Sequence, residues 1–395
     1  MKTFILIIPV LLVVSCTHTV STKNEKAGKL KATYQLVISG EKKILLDDNT
    51  APKPPYIQMV EDSSGLQILT FLNPYMNAIY FYDYINGSYI GNTRFEKEGQ
   101  DAILHFTGYH IKNSDSIYVY NIPMTQVALT DNAGHVKQRI SLREDVEWAR
   151  NSNWTLYYPQ YNFNTVTPFI ETQEKLLLTG FMPIAVPDSL IDKFRFTSSI
   201  DIKANQVEFY HTYPKELFGQ ETNWDDLELM VYPELSPTGE LIYSFPMSHD
   251  LYISKSGAET FQKVYAGSNV AKTIHSINRK QIETPKEVML IHCLQQDIYT
   301  AVRYDSWRNV YYRFMLQGIT DATFSTPLGK KPIIVIMMDE KFNYLGETLI
   351  GTGEEWNWQN SFVTKEGLNI EYIGDIAKDL NEAYLDLRIF SIEKL

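Results

Sequence analysis

From Leu66 onward the sequence repeats one pattern, in which short apolar runs alternate with tight-turn signals. Leu66 to Leu72 is followed by Asn73-Pro74, Ala78 to Tyr82 by Asn86-Gly87, and Tyr89 to Phe95 closes the unit. Short runs punctuated by such dipeptides predict antiparallel meanders. A second unit reads Phe106 to Ile111, Ser116 to Tyr120, Gln126 to Leu129 and His135 to Leu142. The clearest unit is Leu227 to Leu235, Glu240 to Phe245, Leu251 to Ser254 and Ala258 to Tyr265. A repeat of roughly 40 to 60 residues built from strands predicts β-propeller blades, because a lone blade cannot bury its two faces until neighbours stack on it.

Six units are legible, at about 66–99, 104–142, 165–212, 227–266, 289–350 and 358–392. The last shows three strands, and an N-terminal strand over Leu30 to Ile38 supplies the fourth, closing the ring without an exposed edge. The chain is therefore expected to be all-β, with one six-bladed β-propeller over residues 30–395. A count of seven stays open because 143–165 and 267–288 show no clear pattern, and a two-sheet sandwich is the competing architecture. Helical pattern is confined to Ile140 to Arg150 and Asp375 to Asn381. Aromatics at 13% of residues, 26 of them Tyr, agree with strands, since such side chains fit a pleated, half-buried surface.

A formal net charge of -11 without a basic run speaks against a nucleic-acid partner, which needs clustered positive charge. Met1-Lys2, the apolar run Phe4 to Val14 and then Val13-Val14-Ser15-Cys16 read as a signal peptide over residues 1–15 ending in a lipobox, with Cys16 as the lipidated first mature residue. The run is shorter than the roughly 20 residues of a spanning helix. An ordinary cleaved signal is the alternative. Residues 16–29, polar beyond the cysteine, are expected to be a flexible tether. Thr17, where an Asp would signal retention, points to the outer membrane, and the lack of an acidic cluster behind Cys16 points to its periplasmic face. Cys293 is the only other cysteine, so no intramolecular disulfide forms in the mature chain, and in the run Val288 to Leu294 it is expected to be buried and inert.

No Gly-x-Ser-x-Gly, His-Glu-x-x-His or phosphate-binding glycine loop occurs, and no metal or cofactor is predicted. Three clusters are candidates. Asp225 and Asp226 follow Trp224, and Glu354 and Glu355 precede Trp356 and Trp358. Carboxylates beside tryptophan suit a sugar subsite in a carbohydrate-active enzyme, while a solvated loop with its tryptophan at a blade junction is the plainer reading. The stretch holding Trp148, Trp154, Tyr157, Tyr158 and Tyr161 is the candidate recognition surface, against the reading of an external crossover. Arg303, Asp305, Arg308 and Arg313 are suited to pin one blade to the next through planar, forked hydrogen bonds, or to ring an anion.

The lipobox, Phe95-Glu96-Lys97-Glu98-Gly99, Tyr304-Asp305 with Arg308, Tyr311-Tyr312-Arg313 and the closing run Leu385 to Ile392 together resemble a family of uncharacterised propeller lipoproteins of Bacteroides-like bacteria, a domain of unknown function. Relatives often continue the Glu-Gly motif with Pro and another Gly, where Gln100-Asp101 stands here. The resemblance implies a propeller in the cell envelope and transfers no catalytic residue. The function expected is that of a lipid-anchored, non-enzymatic binding or scaffold protein for a protein, peptide or glycan partner. The alternative is a glycoside hydrolase or lyase with carboxylates at the propeller centre.

Overall fold

Aspartates end several strands and turn the chain back. In the computed structural model, which describes residues 19–143, 156–172, 175–184, 186–219, 222–224, 226–255, 258–278, 286–374 and 383–395, the hairpins share this device. The carboxylates of Asp62, Asp83, Asp131, Asp305 and Asp339 accept the N–H groups of Ser64, Ile85, Ala133, Trp307 and Lys341, each at 2.8–3.0 Å. An Asx turn of this kind satisfies the backbone where it leaves the ladder. Part of the acidic surplus is thus spent on turns.

The hairpins build six antiparallel four-stranded blades around an axis. Blade 1 comprises Ile57–Glu61, Gln67–Asn73, Ala78–Asp83 and Tyr89–Arg94. Blade 2 comprises Phe106–Asn113, Ser116–Asn121, Gln126–Thr130 and Val136–Ser141. Blade 3 comprises Ile170–Glu171, Leu176–Thr179, Arg195–Asp201 and Gln206–Thr212. Blade 4 comprises Tyr232–Leu235, Leu241–Ser244, Asp250–Ser254 and Gln262–Tyr265. Blade 5 comprises Ile298–Asp305, Val310–Leu316, Pro332–Asp339 and Tyr344–Thr352. Blade 6 comprises Trp356–Thr364, Gly367–Tyr372 and Tyr384–Lys394, with the N-terminal strand Tyr34–Leu45 outermost.

Burial follows position in the blade. Val310–Leu316 is buried at every residue because both of its faces meet another blade, whereas outer Tyr89–Arg94 is mostly exposed. The inner strand comes first in each blade, so all six run the same way, from what we call the upper face to the lower face. Closure brings the first strand against blade 5, where the Leu36 N–H donates to Thr348 Oγ1 at 2.8 Å. A Cβ at position 346 would collide with the Tyr34 carbonyl oxygen, so glycine is required there.

The structure differs from the sequence reading at several places, among them the closing strand, which runs over Tyr34–Leu45 rather than Leu30 to Ile38, and Ile140, which lies in a strand rather than a helix. Blade 1 begins at Ile57, not at 66, because its inner strand is only partly buried and follows the prolines 52, 54 and 55. Val288 to Leu294 lies on the helix Lys286–Gln295, with Cys293 buried on it, and blade 5 starts only at Ile298. Blade 4 starts at Tyr232, preceded by a 3-10 turn over Asp226–Leu229. Residues 20–29 do not hang free. Ser21–Thr22 pairs with Ile274–His275, buried Asn24 donates to the carbonyls of Ser268 (2.8 Å) and Ala271 (3.1 Å), and Lys26 lies over the Tyr265 ring at 4.3 Å. Polar composition hid this docking, because the segment is held by hydrogen bonds rather than by apolar burial.

Arg313 shows how blades are joined. Fully buried on the second strand of blade 5, it reaches into blade 4 and donates to Ser244 Oγ (3.1 Å) and to the carbonyls of His249 (3.2 Å), Ala266 (3.2 Å) and Ser248 (2.9 Å). Its guanidinium stacks on Tyr299 at 4.1 Å. Burial lowers its pKa to about 10, which still leaves it charged at neutral pH. Arg313→Met leaves those carbonyls unpaired and is expected to cost about 3 kcal/mol or more, read as a lower urea midpoint. Arg313→Lys is expected to recover only part of the loss, since an ammonium lacks the fork.

Candidate functional site

The axis of the propeller is filled by the chain itself. The connection into blade 3 crosses the upper end of the channel, and Thr165 there joins three blades. Thr165 Oγ1 accepts the Ile57 N–H at 2.9 Å and donates to Asn360 Oδ1 at 2.6 Å, while its carbonyl accepts from Arg303 of blade 5. Val166 is fully buried against Tyr232, Ile298 and Ala301 on the inner strands of blades 4 and 5. The preceding residues are wedged against blade 2: Phe163 packs so closely on Gly108 that a Cβ there would lie 2.5 Å from the Phe163 Cβ.

Several polar groups around this plug pair with one another. Arg303 also donates to Glu234 Oε2 of blade 4 at 3.2 Å. Asn360 donates to the Pro54 carbonyl and to Glu371, each at 2.7 Å, and Asn357 donates to the same Glu371 oxygen at 2.7 Å. Burial pushes the Glu371 carboxyl up to about 7, more than its amide partners pull it down. Lower in the channel, His110 sits between Gln58 of blade 1 (3.2 Å) and Glu171 of blade 3 (2.9 Å), and Lys112 closes on the other Glu171 oxygen. The His110 hydrogen bond, with help from Lys112, holds Glu171 down at about 2.

A cleft of about 590 Å³ opens instead between blades 1 and 2 at the lower face. Ile68, Phe81, Ile111 and Ile117 line its interior, with Glu61, Asp62, Asn92, Lys112, Asn113 and Asn132 among its polar lining. Its volume and its mix of apolar and polar walls fall in the range of small-ligand sites. The lining comes from five separated stretches of sequence, which is why no motif announced it.

The residues singled out in the sequence do not meet in one place. Trp148, Trp154, Asp225 and Cys16 lie outside the described residues. Tyr157 is exposed, but Tyr158 and Tyr161 are buried, the latter bonded to Ser198 Oγ and stacked parallel to Phe163 at 5.6 Å. Trp224 is buried in the core between blades 3 and 4, donating to the Leu217 carbonyl at 2.8 Å. Trp356 is buried in blade 6 against Tyr372 and Phe390, and partly buried Trp358 meets Tyr232. Asp226 opens the short turn before blade 4, whereas Glu354 and Glu355 are exposed between blades 5 and 6. Glu355 caps its own loop by accepting the Thr352 N–H at 3.0 Å. The arginine group lies between blades: Asp305 pairs with Arg308 at 2.9 Å, and Arg308 donates to the carbonyls of Thr364 (3.3 Å) and Lys365 (2.7 Å) in blade 6. Among the described residues no cluster of three or more His, Cys, Asp or Glu could hold a metal ion, and no helix is long and apolar enough to cross a membrane.

The family model described as a domain of unknown function (DUF4221) matches residues 33–349. The chain belongs to the DUF4221 family. The match runs from the closing strand through blade 5 and stops before the inner strands of blade 6. A crystal structure of a DUF4221 member from Bacteroides vulgatus shares the fold at 19% identity, with a TM-score of 0.77 over 92% of this chain and 99% of that one. A Bacteroides fragilis protein described as exported is similar at 10% identity, with a TM-score of 0.56 over 91% of this chain and 95% of that one. No curated protein matches the sequence.

The raised Glu371 carboxyl makes a pH prediction for this DUF4221 propeller. An acid whose folded pKa lies above its unfolded value stabilises the fold below the unfolded value and loses that contribution as pH rises through the folded one. Between about pH 4.5 and 7, Glu371 therefore works against the fold, on the order of 3 kcal/mol at the top of the window. Buried His211, held down to about 4 by desolvation, has the opposite slope between 4 and 6.5. The difference between wild type and Glu371→Gln isolates the carboxyl: the variant is expected to gain stability on the wild type as pH rises from 5 to 7.5, read by urea unfolding at each pH.

Proposed function

We propose that this DUF4221 chain is a lipid-anchored, non-enzymatic propeller of the cell envelope that offers the cleft between blades 1 and 2 to a protein, peptide or glycan partner. The plugged axis carries the reading. With Thr165 and Val166 filling the upper channel, the carboxylates nearest the axis are committed to Arg303, His110, Lys112 and the two asparagines rather than to an open substrate site. The carboxylate and tryptophan pairs that would serve a carbohydrate-active enzyme are spread over different blades. The cleft, by contrast, combines apolar walls with exposed polar groups at the lower face.

Anchoring rests on the lipobox, with Cys16 carrying the lipid; Thr17 behind it favours the outer membrane, and the lack of an acidic cluster after Cys16 favours its periplasmic face. Cys16→Ser is expected to move the protein from the membrane pellet to the soluble periplasmic fraction, and retention in the pellet would remove the anchor from this proposal. For the cleft, a photo-crosslinking residue at position 92 is expected to capture one envelope component in intact cells. Ile90→Asp, at an exposed lining position, is expected to abolish that capture without lowering Tm. Capture no different from that by a label at Lys203, on an exposed turn of blade 3, would count against the cleft.

A further inference from the structure

We infer that the upper face between blades 4 and 5 lies against the lipid surface that carries the anchor, with Phe324, Leu328 and Val288 at the contact. The inference rests on lipidation of Cys16 as proposed above. Its starting point is the docking of residues 20–29. Val20 is bound to the body through both backbone groups, its N–H donating to Ser276 Oγ and its carbonyl accepting the Ser276 N–H, each at 2.9 Å. Four residue steps separate Cys16 from Val20, and at about 3.5 Å per step they reach no more than about 14 Å. An acylated Cys16 sits at the membrane surface, so Val20 stands within that distance of it. The leash is too short to let the propeller tumble.

The leash also selects the face. Ser21 and Thr22 pair with His275 and Ile274, and the His275 carbonyl accepts from His292 of the helix Lys286–Gln295 at 2.7 Å. That helix is joined in turn to the 317–331 connection, where Ile319 N–H donates to the Leu294 carbonyl at 2.9 Å and Gln295 donates to the Ala322 carbonyl at 3.3 Å. The chain exit, the helix and the connection thus form one hydrogen-bonded block on the upper face. Projecting from it, Phe324 is 57% exposed, Val288 48% and Leu328 38%. Exposed Lys272, Lys286 and Lys330 are offset by exposed Glu287, Asp321 and Glu354, and the docked segment adds exposed Lys23, Lys26 and Lys29 against Glu25, so a modest positive charge accompanies the apolar contact. A weak apolar contact suffices, because the anchor holds the block at high effective concentration beside the bilayer.

Trp307 is also an exposed large apolar residue, but it turns the chain at the lower end of blade 5. The eight-residue strand Ile298–Asp305 places it roughly 26 Å below the upper face, beyond the reach of the leash. With the upper face on the membrane, the cleft between blades 1 and 2 points away from it.

The test uses the full-length lipoprotein, reconstituted in vesicles of phosphatidylethanolamine and phosphatidylglycerol and spin-labelled at Phe324→Cys or at Trp307→Cys; buried Cys293 stays unlabelled. Accessibility to a water-soluble nickel chelate is expected to fall several-fold at 324 relative to the Cys16→Ser protein in solution, and to be unchanged at 307. Equal accessibility at both labels overturns the inference. Shielding at 324 in vesicle-free Cys16→Ser protein would assign the patch to a second copy, and shielding seen in native membranes but lost in purified vesicles would assign it to a protein partner; either overturns the lipid assignment. The mass of the mature chain keeps the two readings apart. An unacylated Cys16 fails the anchor, whereas an acylated Cys16 with an accessible label at 324 fails only the face.

Discussion

Guanidinium groups on one hairpin hold blade 5 to its neighbours, and the closed ring depends on them. Arg313 reaches back into blade 4 and gathers three of its carbonyls, Arg303 bonds Glu234 of the adjacent blade 4 and Thr165 of the plug, and Arg308 reaches forward to the carbonyls of blade 6. A propeller blade presents its edges as rows of backbone groups, and side-chain forks are one of the few ways to tie a turn in one blade to a turn in the next. Apolar packing between blades is extensive but non-directional. The arginines fix the register between blades that packing alone leaves loose.

The same economy appears on the axis. Inner strands leave a bore that must be filled by side chains, water or a ligand, and here a segment of the chain fills its upper end. Thr165 is small enough to enter and polar enough to satisfy an N–H of blade 1, a side chain of blade 6 and an arginine of blade 5 at once. Accessible space lies instead in the cleft between blades 1 and 2. The open space lies at the lower face, while the N-terminal segment is docked at the upper face through Val20, Ser21, Thr22 and Asn24.

Much of this architecture was legible in the residues. Turn dipeptides such as Asn86-Gly87 marked the hairpins, and Tyr311-Tyr312-Arg313 stood out as part of a charged cluster suited to pin one blade to the next. The inner strand Ile57–Glu61 was not legible, because a strand lining a polar channel lacks the alternation that marks a half-buried one. The helix Lys286–Gln295 was hidden for the converse reason: its apolar run is as short and continuous as a buried strand. Tyr158, Tyr161, Trp224 and Trp356 looked like recognition residues by type alone, yet each is core. An aromatic side chain in a loop serves equally well to bind a partner or to pack a junction, and spacing along the chain does not distinguish the two.

The sequence by itself determined an all-β ring, its closure by the N-terminal strand, and its acidic, disulfide-free character, because these follow from local periodicity, turn chemistry and composition. Only the tertiary structure decided which polar groups meet. His110 finds Glu171, Asn24 finds Ser268, and Ile68 finds Ile117 across separations that no local pattern encodes. The plug, the cleft and the docked N-terminal segment all arise from such long-range meetings. They depend on how six blades are set around one axis, which is fixed by packing and hydrogen bonding between segments rather than within any one of them.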